Sequence, residues 1–264
     1  MDARAALGEG PRWDSERRQL LWVDVDRGLV HHGNITTPFD ERVGAAAPVE
    51  GGGLLVATAT ALVLDGQVVA RFPHGPDTRA NDGACDPQGR FWIGTTALDF
   101  HDGGGALYRF DGELVPVLDG IGLSNGLGWS PDISLMYYVD SNTGRIDVFD
   151  YDGELANRRT FASVDDGTPD GLAVDDEGGV WLAVWGGSCV RRFDPDGKLV
   201  HEVAVPAENV TACCFGGDDG RSLFITTAAP DGRVYVVRDA GVSGPPAQPF
   251  RRTAPSDADP TSAR

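Results

Sequence analysis

A unit of about 43 residues recurs along the chain and is the feature that most restricts the possible folds. An earlier copy spans residues 13–24, a degenerate copy spans residues 51–66, and the six units follow one another without a linker. Repeats at such a period are typical of arrays in which each unit is one supersecondary structure. In the other four copies an aspartate precedes an aromatic residue by six positions, and the pairs are Asp86/Trp92, Asp132/Tyr138, Asp175/Trp181 and Asp218/Phe224.

The residues inside each unit predict strands rather than helices. The later units continue with a second alternating run, and most of these runs end in an Asp-Gly turn, as in GALYRFDGE and SCVRRFDPDGK. Such turns between alternating segments indicate hairpins. No window of helical length carries an apolar stripe with a period of 3.6 residues. Abundant glycine (36) and proline (17) also suit short strands joined by tight turns.

Units of about 40 residues with about four strands each are the signature of a β-propeller. A sandwich or several small β domains are the alternatives, and the even spacing of the repeats favours the propeller. We therefore predict an all-β fold, a six-bladed β-propeller over residues 1–252, followed by a disordered tail at residues 253–264. Only about a dozen residues precede the first clear repeat, so the N-terminal contribution to ring closure is predicted to be short.

Composition restricts the partners and the compartment. A formal net charge of −18 argues against nucleic acid and anionic membrane surfaces, because both are polyanions. The charge is compatible with a small neutral or cationic ligand and with a metal ion. The four cysteines lie in apolar runs without a C-x-x-C pair, which predicts buried reduced thiols. No signal-peptide pattern and no run of membrane-spanning length occurs, so we expect a cytoplasmic protein. We also expect a monomer or a weak homo-oligomer.

Four repeats place a carboxylate or amide residue at the same register. Each residue lies five positions before the start of the turn of its repeat, in the strings GEGP, NDGA, SNGL and PDGL. In a propeller these positions converge on the central axis, where unpaired oxygen-bearing side chains would repel one another or lack partners. A divalent cation resolves that, and oxygen-only ligands suit calcium, magnesium or manganese better than zinc. The alternative is that the four residues only cap turns. They are Glu9, Asn81, Asn125 and Asp170.

The same strings carry a family resemblance. LGEGPRWD, RANDGACDPQGRFWIGT, LSNGLGWSPD and PDGLAVDDEGGVWLAV resemble the marker strings of the gluconolactonase/regucalcin family, also called the senescence marker protein and luciferin-regenerating family. The match runs in order over residues 7–250 and includes LFITTA near the end. The resemblance implies a six-bladed propeller with one divalent metal ion in its central channel, and hydrolysis of sugar lactones by many members.

The resemblance also implies roles for individual residues. Glu9, Asn125 and Asp170 match the metal ligands, with calcium the first choice and zinc, magnesium or manganese possible. Arg79 and Asn81 match residues that contact the substrate's oxygens, and Asp170 matches the family's general base. Asp99 falls where some relatives have a glutamate that touches the substrate.

The implied reaction is the opening of a sugar (aldono-) lactone by metal-activated water. A phosphotriesterase or aryl esterase on the same site is one alternative, because an activated water does not by itself choose between carbonyl and phosphoryl centres. A propeller that binds metal or ligand without catalysis is the other. The segment GLSNG matches G-x-S-x-G around Ser124, but that motif needs a helix after the serine, and a strand is predicted there.

Overall fold

The computed structural model describes residues 4–252, and the strands of this segment confirm the predicted six-bladed β-propeller. They form six antiparallel sheets arranged as successive blades, five of four strands and one of three. Each blade uses strands that are consecutive in the sequence, with the first strand innermost. The predicted tail at residues 253–264 lies outside the described residues. No helix within the described segment has the length and apolarity needed to cross a membrane.

The strands match the predicted repeats. Blades 1 to 3 consist of β1 Gly8–Asp14, β2 Gln19–Asp24, β3 Leu29–His32, β4 Ile35–Pro38, β5 Val43–Pro48, β6 Leu54–Thr58, β7 Ala61–Leu64, β8 Gln67–Arg71, β9 Thr78–Cys85, β10 Phe91–Ala97, β11 Gly105–Phe110 and β12 Leu114–Ile121. Blades 4 to 6 consist of β13 Ser124–Trp129, β14 Leu135–Asp140, β15 Arg145–Tyr151, β16 Leu155–Ser163, β17 Thr168–Val174, β18 Val180–Trp185, β19 Cys189–Phe193, β20 Leu199–Ala204, β21 Val210–Gly216, β22 Ser222–Thr227 and β23 Val234–Val237. A 3₁₀ helix, Ser141–Thr143, connects β14 to β15.

The hydrophobic core lies between the blades. Between blades 3 and 4, for example, Trp92 and Leu107 form one buried cluster with Met136 and Tyr138. Comparable clusters join blades 1 and 2, 2 and 3, 4 and 5, and 5 and 6. Burying one large apolar side chain contributes about 1.5–3 kcal/mol. The buried apolar side chains of the strands therefore stabilise the ring by holding these neighbouring blades together.

The N-terminal residues close the ring with backbone hydrogen bonds. The amide of Ala5 donates to the carbonyl of Gly232 at 2.7 Å, and Leu7 forms an isolated antiparallel bridge with Ala228. The Thr211 hydroxyl on β21 donates to the carbonyl of Gly8 on β1 at 2.6 Å. Within the described segment, three-stranded blade 6 therefore contacts blade 1 both through the residues before β1 and directly through β1 itself.

Candidate active site

A β-bulge interrupts the innermost strand of every described blade. In blade 3, the pairing of β9 with β10 is regular at Gly83 and shifts before Ala80, so Asn81 and Asp82 lie in the bulge. A bulge turns a side chain out of the strand's regular alternation and is common beside active sites. The corresponding shifts in blades 1, 4 and 5 fall between Glu9 and Arg12, Ser124 and Leu127, and Pro169 and Leu172.

Glycines beside these bulges let the inner strands approach closely. A β-carbon at Gly126 would lie 2.7 Å from the carbonyl oxygen of Asp170 and 2.5 Å from the amide nitrogen of Leu172. Any larger residue would push blades 4 and 5 apart. The absence of a side chain at Gly126 therefore allows the strand that carries Asn125 to lie against the strand that carries Asp170.

Three buried carboxyl groups influence one another at this end of the axis. Burial, followed by the charge of Asp82, raises the pKa of Glu9 to about 8. Burial, followed by the charges of Glu9 and Asp82, raises the pKa of Asp170 well above its ordinary value. Among the described residues, Oδ1 of Asp170 is buried without a hydrogen-bond partner. Ionised carboxylates are costly in such a site unless a cation compensates them.

A chain of hydrogen bonds connects the predicted substrate residues to the predicted metal ligands. Arg79 Nη1 donates to Oδ1 of Asn81 at 2.6 Å, and Asn81 Nδ2 donates to Oδ1 of Asn125 at 2.8 Å. Asn125 Nδ2 donates to the Ser141 hydroxyl at 2.7 Å, which donates to the carbonyl of Pro169 at 2.6 Å. The structure therefore brings Arg79, Asn81 and Asn125 together, and it connects them through Ser141 to the residue that precedes Asp170.

Asn81 already uses both of its amide hydrogens within the protein, because Nδ2 also donates to the carbonyl of Ser124 at 2.7 Å. Its predicted substrate contact stays a prediction, and the geometry adds a positioning role between Arg79 and Asn125. Arg79 differs in this respect. Among residues 4–252, its hydrogen bonds are made through Nη1, to Asn81 and to the carbonyl of Ala80. Its Nε and Nη2 donors point to no acceptor in the described segment.

Asp82 is a member of the carboxyl cluster to which the sequence assigned no role. Its Oδ1 accepts the amide of Gly83 at 2.7 Å and Nη2 of Arg12 at 3.4 Å. Arg12 is held further by the carbonyl of Gly83 at 2.8 Å. Asp82 therefore has an arginine within hydrogen-bond distance, whereas Asp170 has no such ion-pair partner among the described residues, although the charge of Arg79 also lowers its pKa. The sequence signal that could have identified Asp82 as part of the site is its position next to Asn81 in the string NDGA.

Asp99 lies on the loop of residues 98–104 that follows β10, and within the described segment its side chain is hydrogen-bonded to His101 and not to the carboxyl cluster. Its side chain is 75% exposed, and Oδ1 is 2.5 Å from Nδ1 of His101. The predicted contact of Asp99 with a substrate stays a prediction.

Ser124 is buried on strand β13, where its hydroxyl oxygen accepts a hydrogen bond from the Tyr138 hydroxyl at 2.6 Å. As predicted, a strand and not a helix follows Ser124, so the G-x-S-x-G match does not form the nucleophile elbow of a serine hydrolase.

The donor set fits a hard divalent cation. Glu9 accepts the amide of Gly10 through Oε2 alone, Asp170 has the unpartnered Oδ1, and the Asn125 amide oxygen retains a second lone pair. These are oxygen ligands of the kind that calcium, magnesium and manganese prefer. Within the described segment, no group of three or more His, Cys, Asp or Glu side chains has a metal-binding arrangement. The candidate ligands Glu9, Asn125 and Asp170 differ from such a group because the third ligand, Asn125, is an amide.

A cavity of ≈ 300 Å³ lies at the other end of the inner strands. Its lining includes Ala84, Leu127 and Val174, and residues 245–248 border it. The lining does not include Glu9, Asn125 or Asp170. We therefore assign the candidate active site to the end where the bulges and carboxyl groups converge, and not to this mostly apolar cavity.

The fold and the candidate site together define a six-bladed β-propeller with a buried cluster of oxygen-bearing side chains on its inner strands. Residues 7–229 match the family described as the SMP-30/Gluconolactonase/LRE-like region, and the chain belongs to this family. This confirms the resemblance read from the marker strings.

Known relatives match over most of their lengths. The chain is 38% identical to regucalcin of Danio rerio over 244 residues, which cover 84% of this chain and 83% of that protein. It is 37% identical to the putative sugar lactone lactonase YvrE of Bacillus subtilis (strain 168), covering 86% and 85%. Among solved structures, a calcium-binding protein, regucalcin, from Agrobacterium tumefaciens strain C58 has a TM-score of 0.90 at 25% identity, covering 95% of this chain and 96% of that chain.

Proposed function

We propose that the protein is a divalent-metal-dependent hydrolase that opens sugar (aldono-) lactones. The observation that carries the proposal is the unpartnered, buried Oδ1 of Asp170 beside Glu9, with Arg79 connected to the same site by hydrogen bonds. The family and a relative named as a sugar lactone lactonase support the substrate class. The name of the bacterial regucalcin structure, a calcium-binding protein, supports calcium as the first choice of ion.

Glu9, Asn125 and Asp170 would hold the ion. When bound, the ion would supply Lewis-acid polarisation of the lactone carbonyl and would increase the acidity of a nearby water. The closely spaced acids then no longer need protons to remain buried, because the cation offsets their mutual repulsion. Asp170 would accept the proton of the attacking water, and its Oδ1 has no competing donor among the described residues.

Arg79 would bind the oxygens of the substrate through Nε and Nη2. Its remaining amino group is fixed by Asn81, so the planar guanidinium is held in one orientation before the substrate arrives. Asn81 would contact a substrate hydroxyl only by exchanging one of its present hydrogen bonds. Its main contribution would be to hold Arg79 and Asn125 in fixed relative positions.

Initial rates of acid release from a panel of aldonolactones test the proposal. The protein is first stripped of metal and then supplied in turn with calcium, magnesium, manganese or zinc. We expect negligible turnover without metal and recovery with at least one ion. Protein that binds an ion tightly but opens no lactone would contradict the proposed function. Activity on a phosphotriester or an aryl ester in that case would identify the alternative hydrolase.

A matched pair of variants tests the residue assignment. Asp170→Asn removes the base and a metal ligand, and we expect turnover to fall by about a hundredfold or more. Calcium binding measured by calorimetry should weaken as well. Asp194→Asn changes a partly exposed carboxylate in a turn of the same blade, so its rate and calcium affinity should match those of the wild type. Near-normal turnover of Asp170→Asn at full metal content would exclude Asp170 as the base.

A further inference from the structure

Phe100 combines two unfavourable properties. Its backbone has φ +58°, in the left-handed region that L-residues with bulky side chains rarely adopt. Its aromatic side chain is also an exposed large hydrophobic residue, with 47% of its surface accessible to solvent. Folding alone does not require either property, since a glycine or an asparagine would adopt this backbone with less strain. Backbone strain of this kind is concentrated at functional sites.

The surroundings of Phe100 hold it in this conformation. The amide of Phe100 donates to the carbonyl of Ala97 at 3.0 Å. The carbonyl of Phe100 accepts Nδ2 of Asn142 at 2.9 Å, and the same nitrogen donates to Oδ1 of Asp102 at 2.7 Å. Asn142 belongs to the 3₁₀ helix of blade 4, so it fixes the loop of residues 98–104 of blade 3 to the neighbouring blade.

The position of the ring connects it to the active site. The guanidinium carbon of Arg79 lies 6.0 Å from the centroid of the Phe100 ring, at the limit for a cation–π contact. Arg79 in turn is hydrogen-bonded to Asn81, and Asn81 to Asn125. The exposed aromatic surface therefore borders the side chain to which the proposed function assigns the substrate's oxygens.

We propose that Phe100 is a specificity-determining residue whose ring packs against the C–H face of the sugar-lactone ring while Arg79 binds its oxygens. This inference rests on the proposed function and adds to it the part of the site that recognises the apolar face of the substrate. A lactone ring has C–H groups on its faces and oxygens at its edge. An aromatic ring beside a guanidinium matches both, because burying the C–H surface is favourable and the edge oxygens accept hydrogen bonds.

Phe100→Gly is the informative variant because it relieves backbone strain and removes the ring. We expect its melting temperature to stay the same or to rise, while KM for the best aldonolactone rises about three- to tenfold and kcat stays within about twofold. Phe100→Tyr should restore KM, because it returns the aromatic face. Asn142→Ala leaves the ring in place but frees the loop, so an intermediate rise in KM is expected.

Ile133→Gly is the matched control. Ile133 also has a positive φ, +63°, and is 40% exposed, but it lines the cavity at the opposite end of the inner strands. Its replacement should change the melting temperature in the same direction without changing KM. A rise in KM in both variants would mean that the loop change acts through general stability, and it would overturn the proposed role of Phe100.

Binding of a sugar lactam, which resists hydrolysis, separates this inference from the proposed function. Calorimetry on metal-loaded protein should give weaker binding for Phe100→Gly than for the wild type, whether or not the wild type turns over the lactone. Equal KM and equal lactam affinity in the two proteins would overturn the role of Phe100 and leave the lactonase proposal intact. A wild type that neither binds the lactam nor opens a lactone would overturn both.

Discussion

The indole Nε1 of Trp92 donates a 2.8 Å hydrogen bond to Oδ2 of Asp86, six positions earlier in the chain. The same carboxylate accepts the amides of Gln88 and Arg90 through Oδ1, at 3.0 and 2.9 Å. One side chain thus closes the turn between β9 and β10 and also satisfies the polar group of a fully buried tryptophan. Blade 5 repeats the arrangement, with Trp181 Nε1 donating to Asp175 at 2.8 Å.

Replacement of Asp86 by alanine should be among the most destabilising single changes in the protein. It leaves the buried Trp92 indole and two turn amides without their acceptor, and it removes the partner of Arg90. We expect the free energy of unfolding to fall by about 3 kcal/mol or more. Denaturant titration measures the change. Asp132→Ala removes an exposed turn carboxylate of blade 4, and an equally large loss there would show that the buried indole does not matter.

Replacement of Ile133 by glycine should stabilise the protein. The amide of Ile133 donates to the carbonyl of Ser130 at 2.9 Å, and in blades 3 and 5 glycines with positive φ, Gly89 and Gly178, close the same kind of turn. Relief of a left-handed conformation is worth about 1 kcal/mol. Thermal unfolding measures the gain. Ile133→Ala keeps a β-carbon at this φ, so an equal gain in that variant would exclude backbone strain as the reason.

The contribution of His31 to the stability of the protein should fall as the pH drops below about 6.5. Burial against the stacked ring of Trp22 lowers the pKa of His31 in the folded state, whereas the unfolded chain takes up a proton at the ordinary value. The unfolded state then binds more protons in this range, so acid favours unfolding. His31→Phe should reduce the slope of stability against pH from 6.5 downward. A slope that His31→Phe leaves unchanged would exclude His31 as its cause.

The thiols should be unreactive in the native protein. All four cysteines are free and buried, and burial raises the pKa of Cys189 to about 11 and that of Cys214 to about 12. Since the thiolate is the reactive form, a thiol reagent at neutral pH should label none of them within minutes, and all four after addition of denaturant. Rapid labelling of one thiol in native protein would show a local opening of its blade.

The repeat spacing was sufficient to predict the fold, although its structural meaning differs between blades. The six-residue spacing corresponds to a hydrogen bond in Asp86/Trp92 and Asp175/Trp181. In blade 4, Asp132 lies in an exposed turn, and the Tyr138 hydroxyl donates to Ser124 instead. In blade 6, Asp218 is likewise exposed. Asp86 and Asp175 directly follow the inner strand, whereas Asp132 and Asp218 lie later in their turns, so a fixed spacing identifies the repeat without identifying the partner atoms.

The sequence by itself determined the blade number and the residues that head the inner strands, because a two-residue alternation and a shared register are local patterns that one chain displays directly. Tertiary structure alone decided which of these residues lie close enough for their charges to interact. In the structure, the charge of Asp82 acts on Glu9 and Asp170, and Arg12 donates a hydrogen bond to Asp82. The Phe100 ring lies beside Arg79. These relationships connect different blades and depend on bulges and on a strained loop. No sequence pattern specifies them, since the distance between two side chains across the axis is set only when the ring closes.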